Sequence, residues 1–466
     1  MTSLLKRDLA PQATGAKTHL GWYRDPGRAA LLSGLRRRCN TGVRLNEVSD
    51  PMGASPLRQH FRRTAVGVVA ELRLVSLRGD RAKLCAEAVA SVVLAVYLAD
   101  VFSLKQRWWV ALSAYALIRA NPFVVFRRCL ERLAGTVMGA FSGVLLAILL
   151  FPGSWLAIMA LALMSGLGVY CMLGSPYAYS WILGTVTALM VLSDAGGVVS
   201  PINLAIDRVL DVAVGVLAAA VIAAASFSIE RLLHSDGSPV TSLPSATHSN
   251  HDSFAPPVVA CSRSSRLWQA LQSTVAIALI GLINHFRPLP NFAQSMVSVV
   301  AVLLVPISVL TDGHGMAAVH MRMFNRLLGC LCAALIAAPL LPLIGRTPFL
   351  CLAVLGAGVW LAAHIQSGSE EVSYIGTQFG VGFIMIFVQD RAWSTDASAA
   401  LQRLMGIVVA LIVLAATMGG LAIFRNRLAK MRGSQFRRPA QCDIDEAPNA
   451  ASRGSANQDC ELDKRD

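Results

Sequence analysis

Asp207, Asp211 and Gly215 recur at i, i+4, i+8 within an apolar stretch, which sets them on one helix face with Arg208 beside them. Two carboxylates four residues apart repel, and partial desolvation raises the pKa of one. Asp207 or Asp211 could therefore carry a proton, and a structural Arg208–Asp211 pair is the alternative. Glu87 is a further acid in an apolar run, and intramembrane acids are functional suspects by default. Its place near one end of that run would let it reach water. Arg132 and Arg326 each open an apolar run and are followed by Gly135 and Gly329 at the same spacing. Such arginines could attract a carboxylate and offer it a bidentate contact, while the glycines allow close helix approach. Snorkelling to lipid phosphates, or holding topology, is the competing role. Tyr179, Trp181, Tyr374, Gln378 and Phe379 could stack on and hydrogen-bond an aromatic acid. An interfacial anchoring belt is the other meaning of such aromatics, and the stronger one for Trp108 and Trp109. Gly376, Gly380 and Gly382 leave room for tight packing or for a ligand against backbone.

These residues need an apolar scaffold to position them, and the composition supplies one. Of 466 residues, 55% are hydrophobic and only 15% charged, and the mean hydropathy is +0.56. A soluble globular protein carries about 25% charged residues, so a soluble enzyme, a disordered regulator and a nucleic-acid-binding domain are excluded as whole-chain readings. The net charge of +14 sits between and around apolar runs, as expected of loops on the cytoplasmic side. The ten cysteines are scattered, with Cys330 and Cys332 the closest pair and no C-x-x-C, so packing is their expected role and no metal is expected. The group Asp312, His314 and His320 is expected in a solvated loop. No G-x-x-x-x-G-K-[ST], H-E-x-x-H or G-x-S-x-G occurs, so neither an enzyme nor a cofactor is expected.

The expected fold is all-α and polytopic, with about twelve transmembrane helices of ~20 residues. Residues 1–83 form a basic tail in which Leu57, Phe61, Ala65, Val68, Leu72 and Val75 share a face, the pattern of an interfacial amphipathic helix or of a plain solvated tail. A true start at Met52 would remove most of this tail. A first six-helix repeat occupies 84–229, with spans near 84–101, 106–122, 133–151, 154–173, 177–194 and 203–228. Residues 230–266 are a Ser- and Pro-rich cytoplasmic linker. A second repeat occupies 267–424, with spans near 267–285, 294–311, 327–344, 347–364, 373–389 and 404–424. Residues 425–466 form a C-terminal tail.

Arg127, Arg128 and Arg132 lie between spans two and three, and Arg322 and Arg326 hold the matching place between spans eight and nine. With both termini inside, these clusters, the linker and both tails are all cytoplasmic. The halves also match in sequence. Arg132 and Arg326 are 194 positions apart, while Tyr179 and Tyr374, and Arg208 and Arg403, are 195 apart. An even number of spans per half makes the two repeats parallel, with a pathway expected between them. In the second half, Gln402 and Gly406 stand where the first has Asp207 and Asp211, so an acid relay would belong to one half only.

The same residues carry a family resemblance. Arg107-Trp108-Trp109-Val110-Ala111-Leu112, Arg132–Thr136, Ser175-Pro176-Tyr177-Ala178-Tyr179 and Arg208-x-x-Asp211-x-x-x-Gly215 in the first half, with Tyr374–Gly380, Ser394-Thr395-Asp396 and Arg403-x-x-Gly406 in the second, resemble the fusaric acid resistance family. That family includes bacterial aromatic carboxylic acid exporters and is related to plant aluminium-activated malate channels. The resemblance spans about residues 84–424. It implies an inner-membrane exporter of small organic anions, driven by the proton gradient. Arg132, Arg326, Tyr179, Tyr374, Gln378, Arg208 and Arg403 would line the path, and Asp207, Asp211 and Glu87 would couple it to protons. The expected partners are the organic-anion substrate and the lipid bilayer, with no nucleic acid; a periplasmic adaptor or a homo-oligomer stays open. The chain departs from longer exporters in lacking a sizeable soluble domain between the halves, and its second half lacks the Trp-Trp pair. A passive anion channel is one alternative. A structural or regulatory membrane protein, docked through its basic N-terminal segment, is another.

Overall fold

The computed structural model describes residues 56–75, 77–118, 121–150, 154–197, 199–233, 263–304, 315–345, 347–389, 393 and 396–435. The basic run at 36–38, Met52, most of the linker, Asp312, His314, Ser394, Thr395 and the tail beyond 435 lie outside them. The chain divides into two compact units, Met1–Arg63 and Thr64–Asp466. Of the first, only residues 56–63 are described, as helix.

Among the described residues every regular element is a helix. The helices are α1 (Pro56–Arg73), α2 (Asp80–Val101), α3 (Arg107–Leu117), α4 (Pro122–Leu149), α5 (Trp155–Met172), α6 (Ala178–Asp194) and α7 (Pro201–Leu233). After the linker come α8 (Arg263–Phe286), α9 (Phe292–Leu303), α10 (Gly315–Ile344), α11 (Pro348–Gln366), α12 (Glu370–Phe387) and α13 (Ser398–Gln435). By length and hydropathy α2, α4, α5, α7, α8, α10, α11 and α13 can cross a membrane. Their outward faces carry exposed Phe123, Phe141, Leu156, Leu335 and Phe349, the surface lipid requires.

Each of the twelve expected span positions holds a helix, but four are short. Helix α3, in the segment expected at 106–122, is only 11 residues long, and α9, in that expected at 294–311, only 12. At ~1.5 Å per residue that is about half of a ~30 Å hydrocarbon layer. The sequence at Asn121-Pro122 explains the first break. A residue before proline is pushed to extended backbone, and Asn121 then caps the next helix by accepting from the Phe123 amide at 2.9 Å. Proline at the first helical position completes that start.

The helices at spans three and nine reach further back than the apolar runs. Hydropathy places them at 133 and 327, after the arginines. The helices begin at Pro122 and Gly315, because Arg132 and Arg326 find hydrogen-bond partners inside the protein and need not end the helix. His320, expected in a loop, lies on α10, where its Nδ1 stands 2.9 Å from the Met316 carbonyl.

Helix α4 lies along α6, and α10 along α12; α5 packs on α8, and α11 on α2; α3 packs on α7, and α9 on α13. Glycines set the closest of these approaches. A methyl group on Gly139 would stand 2.2 Å from the Gly184 carbonyl oxygen, and one on Gly135 would stand 2.4 Å from that of Ser180. At α10–α12 a methyl on Gly329 would meet the Ile375 carbonyl oxygen at 2.8 Å.

The described part of α1 from Thr64 onward is docked rather than loose. Val68 packs with Ile365, Val372 and Ile375. Glu71 accepts from Arg81 at 2.8 Å and from the Ser369 amide at 3.0 Å, while its carbonyl lies 3.0 Å from His364 Nε2. Burial acts to raise the pKa of Glu71, but the Arg81 and Ser369 hydrogen bonds and the charges of Arg81 and His364 together hold it below the ordinary carboxylate value. The docked face is therefore Thr64–Val68–Glu71. The expected apolar stripe is only partly engaged, since Leu72 joins Val66 and Val69 on the exposed side.

Candidate functional site

Arg132 lies in mid-helix on α4, only 4% exposed. Its Nη1 donates to the Tyr179 hydroxyl at 2.9 Å on α6, and its Nη2 to Ser113 Oγ at 3.0 Å on α3. Arg326 on α10, 3% exposed, donates to Gln378 Oε1 at 2.6 Å on α12 and to Ser298 Oγ at 3.1 Å on α9. Each guanidinium thus ties a short helix to its neighbour, at corresponding places in the two halves. All four acceptors are neutral. Among the described residues neither arginine forms an ion pair, and both Nε donors are buried without a hydrogen-bond partner. A buried charge is ordinarily paired, because leaving it alone costs several kcal/mol after relaxation, on the order of ~3–5.

One helical turn earlier on the same helices stand Arg128 and Arg322. Arg128 lies over the Tyr179 ring at 5.5 Å, and Arg322 over the Tyr374 ring at 4.5 Å, both within cation–π range. The tyrosines therefore correspond in their stacking. The hydrogen bond that Tyr179 accepts from Arg132 is taken in the second half by Gln378, one turn beyond Tyr374. Tyr115 crosses from α3 to α12, where its ring fills the space beside Gly380 and its hydroxyl lies 3.5 Å from the Gly376 carbonyl.

Arg208 and Arg403 meet at the other end of the helices, beside the loops after α2, α6, α8 and α12. Both guanidiniums lie against Trp108, Arg208 at 5.8 Å and Arg403 at 5.1 Å from the ring centroid. Trp109 stacks on Trp108 at 4.7 Å and also carries Arg208 at 5.1 Å. Trp108 is 8% exposed, so it is not an anchor in the lipid interface; it is enclosed as the floor on which arginines of both halves rest. Arg208 also donates to Gln106 and lies 3.9 Å from Asp194, and Arg403 donates to the Met385 carbonyl. These groups line an open cavity of about 400 Å³, whose other polar walls are Ser193, Asn284, Asn291 and Gln294. A second, smaller cavity of about 30 Å³ shares Gln294, Met385 and Arg403 with it and reaches Arg326.

The acids separate. Asp207 sits at the rim, ion-paired with Lys105 at 2.9 Å, whereas Asp211 one turn further is 1% exposed. A methyl on Gly215 would meet the Val110 carbonyl oxygen at 2.4 Å, so this face of α7 lies hard against α3. Glu87 is far from them in the chain's ion pairs: it faces Lys83 at 3.6 Å and accepts from Ser226. The structure thus brings Arg208 and Arg403 together, gives Arg132 and Arg326 matching surroundings, and leaves Glu87 in a separate cluster. Asp194, Gln106, Ser113, Ser298 and Tyr115 escape the sequence reading. Polar residues inside the apolar runs of α3 and α9 were the available signal for the two serines.

Helices of this length and hydropathy, with an apolar exterior, define a multi-pass membrane protein, and polar cavities among its helices suit a transporter. Residues 94–222 match the family model described as fusaric acid resistance protein-like, which supports the fusaric acid resistance family and a membrane transporter of that type. No curated protein and no solved structure matches the chain.

Proposed function

We propose that this protein exports small organic anions, aromatic carboxylates or similar toxic compounds, across a bacterial inner membrane, and that the proton gradient drives it. Its twelve membrane helices form two parallel six-helix repeats with both termini in the cytoplasm. The observation that carries the reading is the pair Arg132 and Arg326, buried cations held, among the described residues, by neutral groups alone. A fixed positive charge without a fixed counter-charge is satisfied by a passing anion and discharged when the anion leaves. The repeats are supported by the twofold recurrence of every main helix pairing and of the Arg128–Tyr179 and Arg322–Tyr374 stacks. Short helices at corresponding positions of two halves are the usual mark of a transport site.

In this scheme Arg128 and Arg322 gather the anion at the cytoplasmic side, where the positive-inside rule puts them. The anion then exchanges onto Arg132 or Arg326 and leaves through the 400 Å³ vestibule, where Trp108 and the two arginines can hold an aromatic carboxylate by stacking and charge. The passage at Arg326 is only about 30 Å³, too narrow for such a molecule, so the halves must shift for it to pass. Asp211, buried on α7 one turn beyond Asp207, is the proton carrier, and Asp207 is held at the rim by Lys105.

The test is cellular accumulation of a labelled aromatic carboxylate with and without the protein, before and after an uncoupler. Lower accumulation that the uncoupler abolishes, and that Arg132→Gln with Arg326→Gln eliminates, supports the scheme. Flux that follows the anion's own gradient regardless of the uncoupler replaces the exporter by a passive channel. Export intact in the double variant refutes the arginine assignment.

A further inference from the structure

We propose that α1 from Thr64 to Arg73, with the loop as far as Leu77, is an interfacial strap whose outer face binds anionic lipid. The two sides of this helix differ in kind. Thr64, Val68 and Glu71, at i, i+4 and i+7, make the docked side. Val66, Val69 and Arg73, at i, i+3 and i+7 of their own series, fall on the opposite side, and all three are exposed. Leu72, Leu74, Val75 and Leu77 extend the exposed apolar surface toward α2, and Leu77 is 80% exposed. Residues 64–77 hold one acid, Glu71, and it is turned to the docked side by Arg81 and the Ser369 amide. Apolar side chains around an arginine, with no acid among them, complement an anionic leaflet. The apolar groups enter the acyl boundary while the guanidinium stays among the phosphates.

The place of the helix fits that partner. Glu71 is held by Arg81 in the first turn of α2, and its carbonyl lies 3.0 Å from His364 in the last turn of α11. Both are ends of helices long and apolar enough to cross a membrane, so this part of α1 lies at the depth of the headgroups. Gly79, at φ +92°, then redirects the chain into α2. A second copy of the chain fits the face less well. A twofold interface sets the same patch against itself, which would oppose Arg73 to an equally basic surface without an acid. The inner side gives the contact a consequence. Gly368 leaves room for the Glu71 carboxylate, where a methyl would stand 2.5 Å from its carbon, and Ser369 caps α12. Lipid on the outer face would therefore steady the α11–α12 turn and the start of the helix that carries Tyr374 and Gln378.

The proposal rests on the chain spanning a membrane and not on what it carries, so its experiment reads exchange and not flux. The full-length protein is reconstituted in nanodiscs of phosphatidylcholine alone or mixed with phosphatidylglycerol, and amide exchange of residues 64–77 is followed by mass spectrometry. Slower exchange in the anionic discs is expected, with the difference shrinking as salt is raised. Arg73→Gln should reduce that difference by about fivefold, the worth of one charge near an anionic surface. Val66→Asp with Val69→Asp should speed exchange of the segment in both discs, while α4 and α6 exchange as before. Both valines are exposed, so a face in water would accept the aspartates at little cost to folding. Equal exchange in the two bilayers overturns the proposal, and so does exchange indifferent to the aspartates. Protection that grows with the number of protein copies per disc, at fixed lipid, would give the face to a second copy and overturn it as well. Lipid-dependent protection in a protein that fails to export would uphold the strap and sink the transport reading instead.

Discussion

Replacing Gly139 by alanine would set a methyl carbon 2.2 Å from the backbone oxygen of Gly184, where real contacts of this kind do not fall below 3.0 Å. Neither atom belongs to a movable side chain, so α4 and α6 must part locally by about 1 Å to restore ordinary contact. Arg132 lies two helical turns away and bonds across the same interface to Tyr179 at 2.9 Å. That bond has little slack, since N–H···O bonds weaken beyond about 3.2 Å. If the helices stay close, overpacking costs about 1–3 kcal/mol. If they part, a charge-assisted hydrogen bond worth about 1.5–3 kcal/mol is weakened or lost. Either route predicts a fall in Tm of several degrees and a matching loss of export. The assay is unfolding of the purified protein followed by tryptophan fluorescence. Gly419→Ala and Gly420→Ala are the controls, because nothing lies within 4 Å of a methyl at either place. There the gain in helix propensity, about 0.5–1 kcal/mol, should leave stability unchanged or slightly higher. Equal shifts in Gly139→Ala and the two controls would refute the claim that backbone contact holds α4 to α6.

The other predictions concern α1 and the acids. Glu71→Gln should release the Thr64–Arg73 segment, seen as faster amide exchange there, while α4 and α6 exchange as before; unchanged protection would show that Val68 alone suffices. Because the folded pKa of Glu71 is depressed, its contribution to docking is complete above the ordinary value of 4.5 and is lost as pH falls through the lower folded value. Exchange of that segment should therefore quicken only below pH 4.5, and a transition near neutrality would assign the docking to another group. Asp207→Asn should change uncoupler-sensitive export little, as befits a half-exposed ion pair, whereas Asp211→Asn should abolish the coupling. The reverse outcome would move the proton path to the rim.

Much of the architecture was legible in the chain because apolar periodicity and arginine placement are local properties. Lipid demands long apolar runs, and charge bias marks their ends, so all twelve helical positions and the 194–195-residue correspondence could be read directly. The recurrence of Arg132 with Arg326, Arg208 with Arg403 and Tyr179 with Tyr374 was legible for the same reason, since it is read from spacing alone. What hydropathy could not reveal is whether a charge ends a helix or enters it. That depends on partners far away in sequence, and Ser113 and Tyr179 are what let Arg132 lie in mid-helix. The shortness of α3 and α9, the enclosure of Trp108 between Arg208 and Arg403, the Lys105 partner of Asp207 and the narrow cavity at Arg326 all belong to the same class. Each arises where helices distant in sequence converge, and only tertiary packing brings those groups within bonding distance.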